Sequence, residues 1–196
     1  MKTRTLCSAM LGVLLAVAAL AGCTSGNSGT PTPATTSATT DPTSSASPAS
    51  APRVSHPLDA STLVAQPCTA LKPSDVSALR IVNALSQANA HGCNWTGDSG
   101  GSVGIDWETA NTNGLSDLYT KATTMAYWQP TTVSGYPAAY GDSISDGRSQ
   151  GDCVLNTAVS NNLYFFVEFN NPLNASQSCT LAEQAAADVI KNLGGS

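Results

Sequence analysis

Residues 92–108, GCNWTGDSGGSVGIDWE, contain the clearest strand pattern in the chain. From Val103 to Trp107 every second residue is apolar, and the residues between are small or acidic, which is typical of a half-buried strand. The glycine-rich segment 97–101 predicts a turn, and residues 92–96 predict a strand before it. These two strands therefore form a hairpin around which the predicted domain is built.

Four more strands are predicted C-terminal to this hairpin. Short strands at 131–133 and 138–140 flank a turn at 135–137, and longer strands at 153–159 and 163–169 flank a pair of asparagines. In the last strand four apolar residues share one face: Leu163, Phe165, Val167 and Phe169. The alternation predicts strands that pack one face against a core.

A first helix is predicted before the hairpin. Pro73 suits the first helical position and Asp75 the first turn, where a carboxylate interacts favourably with the helix dipole. Val76, Leu79 and Val82 have the spacing of its buried face.

Two further helices complete the domain. Apolar residues at helical spacing predict an amphipathic helix at 113–127 that ends at Pro130. An alanine-rich helix begins at Cys179 and stops at Gly194. This order of elements predicts an α+β fold, in which helices pack on one face of an antiparallel β-sheet.

Six cysteines are present, and four of them lie in the predicted domain: Cys68, Cys93, Cys153 and Cys179. An even number in an exported chain predicts two disulfides, with three pairings formally open. We favour Cys68 with Cys93 and Cys153 with Cys179, because each pair brackets one segment of similar length. A four-cysteine zinc site is the alternative, but the paired C-x-x-C spacing of such sites is missing.

The N-terminus has the pattern of a bacterial lipoprotein signal. Lys2 and Arg4 precede an uncharged apolar segment, residues 6–20, which is too short for a typical membrane-spanning helix. Leu20-Ala21-Gly22-Cys23 follows as a lipobox. We therefore predict that residues 1–22 are a cleaved signal peptide and that Cys23 is lipidated. An uncleaved membrane anchor is the alternative.

Residues 24–52 are almost entirely Ser, Thr, Pro, Ala and Gly. Such a segment has no large apolar side chains to offset the entropy of ordering, so residues 23–52 are predicted to be a disordered tether. Residues 53–196 remain as a single α+β domain of ordinary size.

The charge balance excludes one class of partner. The chain has eight basic and 13 acidic residues, and removal of Lys2 and Arg4 with the signal changes the formal charge from −5 to −7. Nothing in such a chain would neutralise phosphates, so nucleic acid is not an expected partner. Membrane attachment is expected through the lipid on Cys23 rather than through surface charge.

Two short motifs resemble hydrolase sequences. Ser99 lies in a Gly-Asp-Ser-Gly-Gly string, and Ser143 lies in a Gly-Asp-Ser string. Nucleophilic serine needs a positioned base, and the only histidines are His56 and His91. We expect no catalytic residues, and a serine hydrolase using Ser99 or Ser143 is the alternative.

No metal or cofactor site is expected either. Two histidines are too few for a histidine cluster. Residues 142–152 approach the pattern of a calcium loop, but Ile144 occupies a ligand position and Cys153 follows where the bidentate Glu would stand. No phosphate-binding loop occurs in the chain.

Aromatic residues on the predicted strands and helices are expected to pack in the core. Trp128 and Tyr136 fall in predicted loops and are the better candidates for an exposed binding surface.

The motifs that carry a family resemblance are Pro57-Leu58-Asp59, Pro67-Cys68, Asp75-Val76 with Leu79, Gly92-Cys93-Asn94-Trp95, Gly135-Tyr136-Pro137-Ala138, Gly151-Asp152-Cys153, and Cys179 before a helix. Their order resembles the actinobacterial lipoproteins classed as domain of unknown function 3558. Lys72-Pro73 departs from the pattern, because a threonine cap is expected there, and residues 83–90 lack the expected glycines. The resemblance implies an envelope lipoprotein and supplies no catalytic residues.

These features together favour a non-enzymatic, lipid-anchored binding module on the outer face of the cytoplasmic membrane. Its partner would be a ligand, a cell-wall component or another protein, bound through the sheet face or the loops between Trp128 and Tyr140. A structural or chaperone-like envelope protein is a further alternative. The residues do not identify the ligand.

Overall fold

Seven antiparallel strands form one sheet in the computed structural model, which describes residues 50–195. The strands are β1 (Leu85–Ala88), β2 (Gly92–Thr96), β3 (Ser102–Trp107), β4 (Tyr127–Val133), β5 (Tyr136–Asp142), β6 (Asp152–Ser160) and β7 (Leu163–Asn170). Their order across the sheet is β1-β2-β3-β7-β6-β5-β4. The predicted signal peptide, Cys23 and most of the predicted tether lie outside the described residues.

Four α-helices accompany the sheet in this part of the chain. They are α1 (Ser61–Ala65), α2 (Pro73–Ala78), α3 (Ser116–Tyr119) and α4 (Ser178–Asn192). Short 3₁₀ turns lie at Pro67–Thr69, Ala122–Thr124, Arg148–Gln150 and Pro172–Gln177. The α+β class and the antiparallel sheet are therefore confirmed. Within residues 50–195, no helix has the length and apolar character needed to cross a membrane.

The predicted β2–β3 hairpin lies beside the centre of the sheet. Its second strand pairs with β7, so that Ile105 stands opposite Val167 and Trp107 opposite Phe165. The rings of Trp107 and Phe165 pack with their centroids 5.1 Å apart. The predicted β6–β7 hairpin is also present. Alternation thus places one apolar face of β3, β7 and β6 in the core.

The alanine-rich helix α4 covers that apolar face. Its buried residues are Ser178, Leu181, Ala182, Ala185, Ala186, Val189 and Ile190. The alanines allow the helix to approach β6 and β7 closely. A disulfide between Cys153 and Cys179 joins β6 to the first turn of α4 and confirms that predicted pair.

The predicted helix at Pro73 is also confirmed, as α2, and the Cys68–Cys93 disulfide ties the preceding turn to β2. Asp75 accepts a hydrogen bond from the Lys72 backbone N–H at 2.9 Å, so the helix start is capped without the threonine. The predicted burial of Val82 is wrong: this residue is 59 % exposed. The helix ends before Leu79, and Arg80 then takes a positive φ of 63°, which breaks the helical spacing.

The predicted helix at 113–127 is wrong. Only the single turn α3 and the 3₁₀ turn Ala122–Thr124 form there, and β4 already begins at Tyr127. The threonine hydroxyls of Thr120 and Thr124 donate to backbone carbonyl oxygens three residues earlier, which competes with helix continuation. Pro130 lies within β4, an edge strand, where the absence of a backbone N–H is tolerated.

The strand β1 is an addition to the predicted elements. The polar sequence of residues 83–92 indicates neither a helix nor a strand before residue 92, and all four residues of β1 are exposed. Because β1 is an edge strand without a buried side, it lacks the alternation that identifies the other strands.

Candidate functional site

The sheet face opposite α4 carries a groove of about 320 Å³, which we call the open-face groove. It is lined by Glu108, Leu118, Met125, Gly141, Asp142, Ser143, Ile144, Val154, Asn156, Tyr164, Phe166 and Glu168. Phe166 and Glu168 alternate along β7 with the core residues Phe165 and Val167, so they point to this second face. The strands β6 and β7 therefore form the floor of the groove.

The groove forms where β5 and β6 separate. Their pairing ends at Tyr140 opposite Leu155, although β5 continues to Asp142. Beyond that point the Asn156 side chain satisfies a backbone group of β5, because its Nδ2 donates to the Gly141 carbonyl oxygen at 3.0 Å. Side-chain bonding thus replaces the backbone ladder and leaves space between the two strands.

Tyr127 supports the same opening. Its hydroxyl accepts a hydrogen bond from the Val154 backbone N–H at 3.0 Å, which β5 would otherwise satisfy. The Arg148 guanidinium lies over the Tyr127 ring, 4.3 Å from its centroid. Asp146 holds that guanidinium through Nε and Nη2, with distances of 2.7 and 2.6 Å. The loop beside the groove is thereby fixed by an aromatic ring and an ion pair.

The connection at residues 108–126 forms one wall. It contributes Glu108, Leu118 and Met125 to the lining. Its start is held on β7, because the Glu108 backbone N–H donates to the Tyr164 carbonyl oxygen at 3.0 Å. Asn111 donates to the Tyr164 hydroxyl at 3.2 Å. The wall is therefore attached to the strand that forms the floor.

The groove is acidic. Three carboxylates line it, and no lysine, arginine or histidine does so among residues 50–195. Burial raises the pKa of Glu168, and the nearby charges of Asp152, Asp142 and Asp106 raise it further. Burial and the charge of Asp142 also raise the pKa of Asp152. The carboxylates on this face therefore repel one another.

This repulsion predicts a pH-dependent stability difference. A carboxyl whose pKa is raised by folding contributes stability that is complete below its ordinary pKa and is lost as the pH rises through the raised value. Glu168→Gln should therefore be more stable than the wild type at pH 7, by about 0.5 kcal/mol since the residue is partly exposed. Urea unfolding at pH 7 and pH 4 should show that the gain shrinks at the lower pH. A variant that is less stable at pH 7 would contradict the prediction.

The two aromatic residues predicted to form a binding surface do not lie in exposed loops. Tyr136 is the first residue of β5 and is only 7 % exposed, so its predicted exposure is wrong. Trp128 lies in β4 and is half-buried, with its ring centroid 5.1 Å from that of Tyr119. Its ring covers Gly141, where a Cβ would stand 2.6 Å from Trp128 Cε3. A binding role for either residue stays a prediction.

The two candidate serines occupy different places. Ser99 lies in the exposed β2–β3 turn, whereas Ser143 lines the open-face groove. In the described part of the chain, neither hydroxyl is hydrogen-bonded to His56 or His91, and both histidines are exposed. Within residues 50–195, neither Ser99 nor Ser143 is therefore paired with a histidine, as the hydrolase alternative requires.

The acidic residues do not form a metal site in the described part of the chain. Among residues 50–195, no group of three or more His, Cys, Asp or Glu side chains is arranged to hold a metal ion. In residues 142–152, whose sequence partly matches a calcium loop, Asp146 pairs with Arg148. Asp142 accepts a hydrogen bond from the Ile144 backbone N–H at 2.8 Å. These carboxylates serve the local loop structure.

A larger hollow of about 580 Å³ lies where the entry segment 50–54 meets residues 112–120. Its polar side chains already hold the entry segment, since Ser116 Oγ accepts from the Ala51 N–H and Asn161 Oδ1 accepts from the Val54 N–H. The open-face groove combines carboxylates with an apolar floor. We therefore take the smaller groove as the candidate site.

The sequence matches one known protein family over most of its length. Residues 18–192 match the family described as "Protein of unknown function (DUF3558)". The chain belongs to this family. No curated protein and no solved structure matched the chain. The predicted resemblance is therefore confirmed at the level of the family.

The DUF3558 match includes every residue of the open-face groove. The motifs that indicate DUF3558 nevertheless did not point to Glu168, Phe166 or Asn156. Two features of the sequence lie at this site: Tyr164 and Phe166 make β7 aromatic on its second face, and Asn156 stands between the apolar residues Val154 and Ala158 on β6. No signal in the sequence predicts that β5 separates from β6, and this separation creates the groove.

Proposed function

We propose that this DUF3558 protein is a non-enzymatic, lipid-anchored binding module at the outer face of the cytoplasmic membrane. The observation that supports binding is the open-face groove, a concave site with an apolar floor and convergent polar groups on the sheet face away from α4. Ligand sites commonly combine these properties. The partner would be a ligand or a cell-wall component that reaches this face.

The anchoring part of the proposal is supported by the N-terminal sequence. Leu20-Ala21-Gly22-Cys23 follows an uncharged apolar segment in the pattern of a lipobox. The two disulfides suit an exported chain, since such bonds persist in oxidising compartments. A domain tethered by residues 23–52 would present its groove to the cell envelope.

Binding is favoured over hydrolysis because the groove lacks a base paired with its serine. Ser143 lies on the rim, and the acidic groups near it are Asp142 and Glu168. A serine nucleophile is activated by an adjacent general base, most often a histidine. The groove therefore supports recognition of a ligand better than acyl transfer.

In-cell photocrosslinking tests this proposal. Ile144 lines the groove yet is 88 % exposed, so a photoreactive amino acid can replace it without disturbing the core. Irradiation of intact cells should attach one recurrent species to the full chain through this position. Mass spectrometry of the modified peptide would identify the attached species.

Val82 provides the matched control. It is apolar, 59 % exposed and outside the groove, so the same photoreactive residue there should not capture that species. Equal capture at both positions would indicate non-specific contact, and no capture at position 144 would count against the groove. Either result would contradict the proposed function.

A further inference from the structure

We propose that the open-face groove recognises a small organic cation, in which an ammonium or guanidinium group is carried on an apolar body. This inference depends on the proposed function, because it names the ligand class of the same groove. It is based on the charge of the lining, on one buried amide group and on the apolar floor. Each of these observations is independent of the other two.

The charge of the lining favours a cation. Glu108, Asp142 and Glu168 line the groove, and no basic side chain of residues 50–195 does so. The nearby Arg148 is already held by two hydrogen bonds to Asp146 and by the Tyr127 ring. A positively charged ligand would relieve the repulsion between the carboxylates, whereas an anion would add to it.

Asn156 adds a hydrogen-bond acceptor to the lining. This side chain is only 5 % exposed, and its Nδ2 donates to the carbonyl oxygens of Ala139 and Gly141. An amide nitrogen has two donors, so both are used and Oδ1 is the group that remains. No donor within residues 50–195 bonds to that Oδ1, and Asn156 lines the groove. Oδ1 is thus the Asn156 atom that can accept an N–H or O–H donor from a ligand in the groove.

The floor accommodates an apolar body. Phe166 and Val154 are half-buried on the sheet, and Leu118 lies on the wall above them. An aromatic ring attracts a cation placed over its face, and the aliphatic groups exclude water from the rest of the ligand. The volume of about 320 Å³ is close to the lower limit of ordinary small-molecule sites, about 300 Å³. A small molecule therefore fits the groove better than a protein surface.

Two probes with the same apolar body and opposite charges test this inference. The full chain, purified in detergent and labelled with ¹⁵N, would be titrated with 3-phenylpropylammonium and separately with 3-phenylpropionate. The cation should bind and shift the amide signals of β6 and β7, and the anion should not. Glu168→Gln and Asp142→Asn should each weaken cation binding by about three- to tenfold, as expected for partly exposed charged contacts.

Glu183→Gln is the matched control variant. Glu183 lies on α4, on the other side of the sheet, so the same loss of charge there should leave the dissociation constant unchanged. Equal binding of the two probes, or no effect of Glu168→Gln and Asp142→Asn, would overturn the inference. Failure of the cation to bind would also overturn it, and capture at position 144 in cells would then show that the proposed binding function stands.

Discussion

Cys23→Ala should release the protein from the membrane. If Cys23 carries the lipid, its removal deletes the acyl chains that hold the domain, and each buried CH₂ group of an acyl chain contributes about 0.8 kcal/mol of membrane affinity. The acidic domain has no positively charged patch in its sequence to replace them. Fractionation should show the wild-type protein in the membrane fraction and the variant outside it. Palmitate labelling should mark the wild type and not the variant.

Cys7→Ala is the control for that experiment. Cys7 lies within the predicted signal peptide, so its replacement should leave lipid attachment and fractionation unchanged. Palmitate labelling that persists in Cys23→Ala would contradict lipidation at Cys23. Loss of labelling in both variants would show that the signal, rather than the acceptor residue, had been disturbed.

The double variant Cys153→Ala/Cys179→Ala should be strongly destabilised. The disulfide joins β6 to α4 across a sequence separation of 26 residues. A cross-link of this length contributes about 3.5 kcal/mol when its effect is the reduced entropy of the unfolded chain. The free energy of unfolding should fall by about that amount, and the melting temperature by about 10 °C for a domain of this size.

The second disulfide gives a matched comparison. Cys68 and Cys93 are 25 residues apart, so the same reasoning predicts a similar loss for Cys68→Ala/Cys93→Ala. Denaturant unfolding of both double variants and the wild type would measure the losses. A loss below about 1 kcal/mol in either variant would contradict the entropic argument for that bond.

Local patterns were sufficient where one face of a strand or helix meets the core. Side-chain alternation predicts the strand from Val103 to Trp107 and the hairpin of β6 and β7. Pro73 and Asp75 predict the start of α2. The favoured cysteine pairs also proved right, because each bond closes a short segment beside an element that could be predicted.

Tertiary context decided the elements that the sequence did not predict. Residues 113–127 have helical spacing but do not form one helix. Leu115 is buried at the start of the single turn α3, and the Tyr127 hydroxyl accepts a hydrogen bond from Val154 of β6. The edge strand β1 buries no face, so it leaves no periodic signal. Such long-range pairing is absent from any local window of residues.

The candidate site was hidden for the same reason. Glu168 and Asp142 are far apart in the sequence and look like ordinary surface carboxylates. They line one groove because β5 leaves β6 after Tyr140, where the Asn156 side chain replaces the backbone ladder. No motif marks that separation, whereas the predicted lipobox at Cys23 is a contiguous motif.

We propose that the domain uses the open-face groove, with its carboxylates, to hold a ligand at the cell envelope. The most direct test is the yield of crosslinked species at position 144 in intact cells, measured in the Glu168→Gln and Glu183→Gln backgrounds. We expect Glu168→Gln to lower the yield by about three- to tenfold, and Glu183→Gln to leave it unchanged. Equal yields in the two backgrounds would contradict the account.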